Sequence, residues 1–534
     1  MRTVIYNAKA YLKRDCFAQA VCIEGERISA AGSNAEMRAL AGDAATSIDA
    51  EGRLLLPGFH DSHLHLQAFG RNVHLIDVHG VTSIDEMVAQ ARAALLRLHP
   101  EKGSIVHGSG WNQEEFAAGE KRYPNRFDLD RISTEHGVIL LRICGHTISV
   151  NTKALEIIGL MGQNLPAELE RDAAGTPLGV FHENTVECIR RIIPPLTDAE
   201  TQAHLEYAFS YALSLGLTSL DSNDVFDDNY EQTVTAYRCA LATGKPAPRI
   251  RMQCCARKPA VLETLIKRGL TTNANMGHPL LTMGPVKLFA DGSLGGRSAA
   301  LRAPYADAPA HSGFLLLKTA ALADTVRYAD RHGFQVIIHA IGDAAIAQVV
   351  ACFEAVTTPH HNPLRHGVVH SEVMAADLFE RMACRDILVF SQPVFLTHDI
   401  AFARARLGER ARFVLPSATL LRSGIRTSYG TDSPVESMNP LEGIACAVRR
   451  VSPLAPDAPC FFPEERVDVY SAVDAYTAES AYAGFAEGAK GRIQAGYLAD
   501  LTLLDRDIFT IAPEEIAHTH VCLTMVGGEV VYRK

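Results

Sequence analysis

Three histidines and an aspartate stand within six residues of PGFHDSHLH, where His60, Asp61, His63 and His65 follow an apolar run, Leu54 to Leu56. His63 and His65 are two residues apart, so on extended backbone both imidazoles leave the same side of the chain. Two such rings at a strand end can chelate one divalent ion. They can equally be hydrogen-bonded histidines of a turn, and the motif alone does not choose.

Other ionisable residues recur at the ends of apolar runs. Lys287 lies in GPVKLFA, His339 in FQVIIHA, His370 in HGVVH and Asp432 in IRTSYGTD. A buried ionisable group without a partner is costly. One such residue is readily structural; five runs all ending this way point to a shared metal site.

The elements that must position these residues follow from the same runs. Candidate strands at 216–222, 249–255, 284–290, 334–340, 366–370, 387–392 and 425–432 join LLLPGFHDSHLH to make eight. They are almost continuously apolar, as parallel strands buried on both faces must be. Stretches such as 315–333 separate them, with helical periodicity and a terminal glycine stop. Eight alternations predict an α/β fold, a (β/α)8 TIM-type barrel whose chemistry sits at the C-terminal ends of its strands. The barrel is expected from 57–70 and 205–484. Residues 71–204 are too long for one connection and read as an inserted, substrate-shaping subdomain after barrel strand 1. Short β segments with turn signals at 1–56 and 485–534 are each too small for a core, so they are expected to pair into one composite β-sandwich.

Bulk properties narrow the function classes. The 534 residues are 47% hydrophobic and 21% charged, which excludes wholesale disorder. A net charge of −10 without a Lys/Arg-rich run argues against nucleic acid. No run of about 18 apolar residues suggests a membrane span, and charges interrupt MRTVIYNAKAYLKRD too early for a signal peptide. Twelve cysteines without CxxC spacing fit reduced thiols and a cytoplasmic protein.

Taken in order, PGFHDSHLH, VKLFADGSLGGRSA, HAIGDAA, THD, GTDSPVESMNPLEGI and GRIQAGYLADLTLLD resemble the amidohydrolase superfamily over nearly the whole chain. Specifically, they resemble its long-chain branch that includes N-substituted formamide deformylases. It implies two divalent metal ions, zinc foremost, with Mn²⁺, Fe²⁺ and Ni²⁺ compatible with the same donors. It also implies that His63, His65 and Asp432 hold one ion and His339 and His370 the other. Lys287 would then carry a carbamate derived from carbon dioxide and bridge both; its alternatives are a lysine reaching solvent or paired with Asp291. The implied activity is hydrolysis of a non-peptide amide by a metal-bridging hydroxide, with Asp432 as general acid and base.

Four further residues are candidates for the substrate pocket. His146 could donate to the carbonyl oxygen, or be a turn histidine. Trp111 could form an aromatic wall, or pack the subdomain. Arg297 could bind a polar substrate end, or cap its own loop. His398 follows strand 7 and is expected to contact substrate. Glu183 falls at a branch motif without an assignable role, and His60, Asp61 and Asp343 are expected to orient ligands. Val369 departs from the branch, which has an acidic residue before the strand 6 histidine. The expected partner is a small-molecule amide, with homodimer formation left open. Two other classes compete: a one-metal heterocycle deaminase, which lacks an acid/base glutamate near strand 5, and a non-catalytic scaffold, which would have lost ligands.

Overall fold

The computed structural model describes residues 2–534 except 74, 118–120, 143–146, 161–169, 173, 183–195, 227–228 and 257–258. The chain forms two compact units, Met1–Phe69 with Leu205–Lys534, and Gly70–His204. In the first unit, eight strands run parallel in a single barrel sheet: β1 (Phe59–Leu64), β2 (Leu217–Val225), β3 (Arg249–Cys255), β4 (Leu281–Phe289), β5 (Val336–Ala340), β6 (Gly367–His370), β7 (Leu388–Ser391) and β8 (Thr427–Tyr429). Each pairs with its neighbour in sequence order, as right-handed β/α crossovers dictate. Strand residues such as Leu220, Met252, Val286, Ile338 and Val389 are buried against a helical layer that includes Leu322, Val326, Ile346 and Leu378.

No regular ladder joins β8 to β1. Instead the Asp432 amide donates to the His63 carbonyl (2.8 Å) and the His65 amide to the Ser433 carbonyl (2.8 Å). Asp61 reinforces this seam: Oδ1 accepts the amides of His63 and Thr431, and Oδ2 accepts the Thr431 hydroxyl at 2.6 Å. The close approach needs Gly430, because a Cβ there would lie 2.7 Å from the His63 nitrogen and 2.9 Å from its oxygen.

Two further sheets belong to the same unit as the barrel. One has four strands, in the order 27–32, 20–24, 2–6, 46–49; the other has six, ordered 529–533, 521–526, 501–504, 54–57, 9–13, 16–18. Ile5, Val21, Ile23 and Ile48 of the first pack on Leu55, Leu501, Leu503 and Leu523 of the second, making the composite sandwich from both ends of the sequence. Leu54, Leu56 and Leu504, on the far face of the six-stranded sheet, join the barrel core. The inserted unit has its own five-stranded sheet and a core built from Ile76, Met87, Val106, Trp111, Val138 and Leu140. Among the described residues no helix is long and apolar enough to cross a membrane.

Gly430→Ala is expected to push β8 off β1 and destabilise the protein by roughly 1–3 kcal/mol, the range for overpacking. Thermal unfolding of the variant beside the wild type measures this, and an unchanged midpoint would refute the tight-seam account.

Candidate metal centre

The ligand candidates converge where β1 and β8 meet. His63 Nε2 and His65 Nε2 lie 3.3 and 3.2 Å from Asp432 Oδ1. Their ligand atoms all fall within 4.8 Å of one another. His63 Nδ1 faces Gln253 Oε1 at 2.6 Å, and His65 Nδ1 faces the Asn223 carbonyl at 2.9 Å. Gln253 Nε2 in turn donates to the Ser62 carbonyl, which fixes that amide's orientation. Both Nδ1 atoms therefore carry a proton, and in the neutral rings both Nε2 lone pairs turn on the carboxylate. Asp432 Oδ1 is itself buried without a hydrogen-bond partner among the described residues. Three acceptors facing one another, two on buried residues and one on the half-buried His65, call for a shared cation. This donor set fits a divalent ion.

Two more imidazoles continue the row. The ring of His370 lies 5.8 Å from His63 and 4.6 Å from His339, edge to face in both cases. His370 Nδ1 is held by Gln392 Oε1 at 2.7 Å and His339 Nε2 by the Gly292 carbonyl at 3.1 Å, so each ring keeps its other nitrogen available. His370 and Asp432 have left-handed φ of 75° and 57°. Such backbone is strained for non-glycine residues and turns these two side chains at the strand ends.

Burial, then the charge of a Lys287 ammonium, pushes the His339 pKa down to about 3. Burial likewise holds His63 and His370 well below the usual range. At neutral pH these rings are neutral, the form that ligates. His65 is also pushed down by burial, but the negative Asp432 carboxylate facing its Nε2 outweighs this and raises it overall, so a proton competes with a metal ion at this ring. Lys287 is 1% exposed, so it does not reach solvent. Its Nζ lies 4.1 Å from the centroid of the Phe289 ring. Asp291 has a different use from pairing with it: its carboxylate accepts the amides of Ala300, Ile341 and Gly342 and organises the loops after β4 and β5.

The other sequence candidates are placed as follows. His146 and Glu183 lie outside the described residues. Trp111 is wholly buried in the core of the inserted unit, with its indole N–H on the Leu140 carbonyl. Arg297 pairs with Asp307 of its own loop at 2.9 Å. His398 is 59% exposed and its Nδ1 meets Glu436 Oε1 at 2.6 Å. His60 does not brace a ligand: it bonds Asp221 at 2.8 Å, which also binds Arg251, in a buried network toward the N-terminal ends of the strands. Burial lowers the His60 pKa to about 4, which keeps the ring neutral. Asp343 accepts the Arg302 amide and also touches no ligand. Asp61 does act as expected, through the backbone of His63 and Thr431. Val369 packs among Ile337, Leu388 and Phe390, and Gln392 supplies the partner that His370 needs.

Barrel, strand-end imidazoles and buried lysine together define a metal-site hydrolase of the TIM-barrel class. The description "Amidohydrolase family" matches residues 46–532, and the chain belongs to that family. It is 32% identical to the Bacillus subtilis (strain 168) protein named for amidohydrolase activity, YtcJ, over 97% of this chain and 96% of that one. The N-substituted formamide deformylase of Arthrobacter pascens is 26% identical, over 99% and 97%. A crystal structure of an uncharacterized metal-dependent hydrolase from Pyrococcus horikoshii OT3 superposes with a TM-score of 0.78 at 26% identity, covering 96% of this chain and 99% of that one.

Chelator-treated protein is expected to unfold several degrees lower than protein with excess divalent ion, since an ion held 100-fold above its Kd adds about 2.7 kcal/mol. His63→Ala should abolish the response. A wild-type midpoint indifferent to every divalent ion tried would overturn the metal assignment.

Proposed function

We propose that the chain is a metal-dependent hydrolase cleaving a non-peptide amide C–N bond of a small molecule, with an N-acyl, N-formyl or cyclic amide as substrate. The observation that carries this is the meeting of three lone-pair donors, His63 Nε2, His65 Nε2 and Asp432 Oδ1, with the Nδ1 proton of each ring engaged elsewhere. The relative named as a formamide deformylase supports an amide target.

His63, His65 and Asp432 would hold one divalent ion, and His339 with His370 a second. Zinc suits the imidazole and carboxylate set, as do manganese, iron and nickel. Lys287, buried beside this row, would shed its ammonium proton, add carbon dioxide at Nζ and release a second proton, giving an anionic carbamate. That exchange turns a cation among neutral rings into a ligand. Ions held there would supply Lewis acidity toward a carbonyl oxygen and lower the pKa of water.

The remaining work falls to the chain's own groups. Gln253, the Asn223 carbonyl and Gln392 fix the tautomers and angles of three imidazoles. Phe395 stacks on His370 and Phe289 leans on His339, with centroids 5.6 and 5.4 Å apart, which limits water at that side. Asp432 Oδ1 faces the histidines, leaving Oδ2 to take a proton from the attacking water and pass it to the departing nitrogen. Without that proton the amine would have to leave as an anion.

Metal-loaded protein is expected to hydrolyse members of a panel of N-formyl amines, N-acyl amines and cyclic amides; turnover of none of them would defeat the proposal. Asp432→Asn should keep much of its metal while amide turnover falls by roughly 10²–10⁴, the range for losing a general acid–base. The loss should be smaller on activated esters, which need no proton at departure, and near-normal amide rates would show a ligand role alone. Lys287→Ala should lose metal and activity, both partly restored by a short carboxylic acid. Full metal content in that variant would argue against the carbamate.

A further inference from the structure

The end of β2 carries a side chain that the scheme above leaves unused. Asn223 is wholly buried. Neither Oδ1 nor Nδ2 of its carboxamide meets a hydrogen-bond partner among the described residues. Buried amides are almost always satisfied, and each exception calls for a reason. Its neighbours show where it points. The Ser222 hydroxyl donates to Asp224 Oδ2 at 2.6 Å, and the Tyr237 hydroxyl, from the helix Tyr230–Ala242, donates to the same oxygen. Residues 222 and 224 therefore face the helical layer outside the barrel. Asn223 stands between these two outward side chains, where the β2–β3 register shifts, and turns the other way, toward the barrel. Its own backbone carbonyl holds His65 Nδ1 at 2.9 Å, which anchors residue 223 beside the histidine of the metal centre.

A carboxamide differs from the Ser371 and Ser433 hydroxyls beyond β6 and β8, which also meet no partner among the described residues. A hydroxyl rotates to suit either role, whereas a carboxamide presents one donor and one acceptor side by side in a fixed plane. Its complement is an edge on which an N–H and a C=O also lie side by side. A ring holds a secondary amide cis and creates that edge, and a primary amide has it inherently. An open-chain secondary amide prefers trans and puts the two groups on opposite sides.

We propose that Asn223 positions the substrate by pairing with the scissile amide edge, Oδ1 accepting the substrate N–H and Nδ2 donating to the substrate carbonyl oxygen. The substrate class is thereby a cyclic or primary amide. This rests on the amide-hydrolase function proposed above, and it adds a residue and a substrate geometry to it. The backbone contact to His65 does not depend on the side chain, so a substitution at 223 can spare the metal.

The test compares wild type, Asn223→Leu and Asn223→Ser, all metal-loaded, on a lactam, its N-methyl derivative and an open-chain secondary amide. Metal content and thermal midpoint are measured in parallel. Wild type is expected to favour the lactam over the N-methyl compound by about 10- to 100-fold in kcat/KM, as a site built to bond an N–H does. Asn223→Leu should lose that preference with metal content unchanged, because the lactam loses two hydrogen bonds and its rate falls further than that of the N-methyl compound, which had only the Nδ2 donation to lose. Asn223→Ser should fall between, and carries the comparison if the leucine variant does not fold. A variant that keeps the wild-type preference, or a wild type faster on the open-chain amide, overturns the role of Asn223 alone. A wild type inactive on all three and on the wider amide panel overturns the hydrolase function, and this inference with it.

Discussion

The seam where β8 meets β1 is the constraint from which the metal centre follows. His63, His65 and Asp432 come from the two ends of the barrel sheet, and they share a site because two backbone hydrogen bonds and the Asp61 carboxylate lock those ends in one register. Gly430 allows the approach, and the left-handed turn at Asp432 aims its carboxylate at the two Nε2 atoms. The three acceptors repel one another in the absence of a cation. Barrel closure and ion binding are thus coupled, each lowering the cost of the other.

Around that seam, neutral polar groups set the chemistry of the charged ones. Gln253 on β3 and Gln392 after β7 accept Nδ1 protons, and each donates its own amide to a nearby carbonyl, Ser62 or Phe390. Ring tautomers are therefore dictated by residues that bind no metal and carry no charge. A carboxylate in the same places would make the rings more basic and invite protons to compete for the ligand positions. Glutamine orients without that effect.

Much of this architecture was legible in the primary structure, and the omissions have a common cause. Long apolar runs with polar residues at one end exposed the eight strands and His63, His65, Lys287, His339, His370 and Asp432 together, because burial on both faces leaves few other patterns. His60 misled because its position beside two ligand candidates suggested a supporting role; the partner that decides its role, Asp221, lies far away in sequence. Gln253, Gln392 and Asn223 were overlooked because attention to ionisable residues passes over amides. Yet a lone Gln in RIRMQCC, or at the end of ILVFSQ, interrupts an apolar run just as a histidine does. Arg297 and Trp111 could not be placed from type alone: an arginine after a glycine turn serves a loop or a ligand equally well, and an indole packs wherever its N–H finds a carbonyl.

One strand outside the barrel has a consequence for how the protein is made. Leu54–Pro57, directly before β1, lies between Lys9–Lys13 and Leu501–Leu504 in the six-stranded sheet. The segment that leads into His63 therefore waits for a strand synthesised long after it, and its pairing has a very high contact order. During translation Leu54–Pro57 has its parallel neighbour early but its antiparallel one only near the end. An intermediate with β1 half-anchored and an open sheet edge is the species that chaperones would meet. A lesion in Leu501–Leu504, remote in sequence from every ligand, would then act on the yield of assembled enzyme rather than on its turnover.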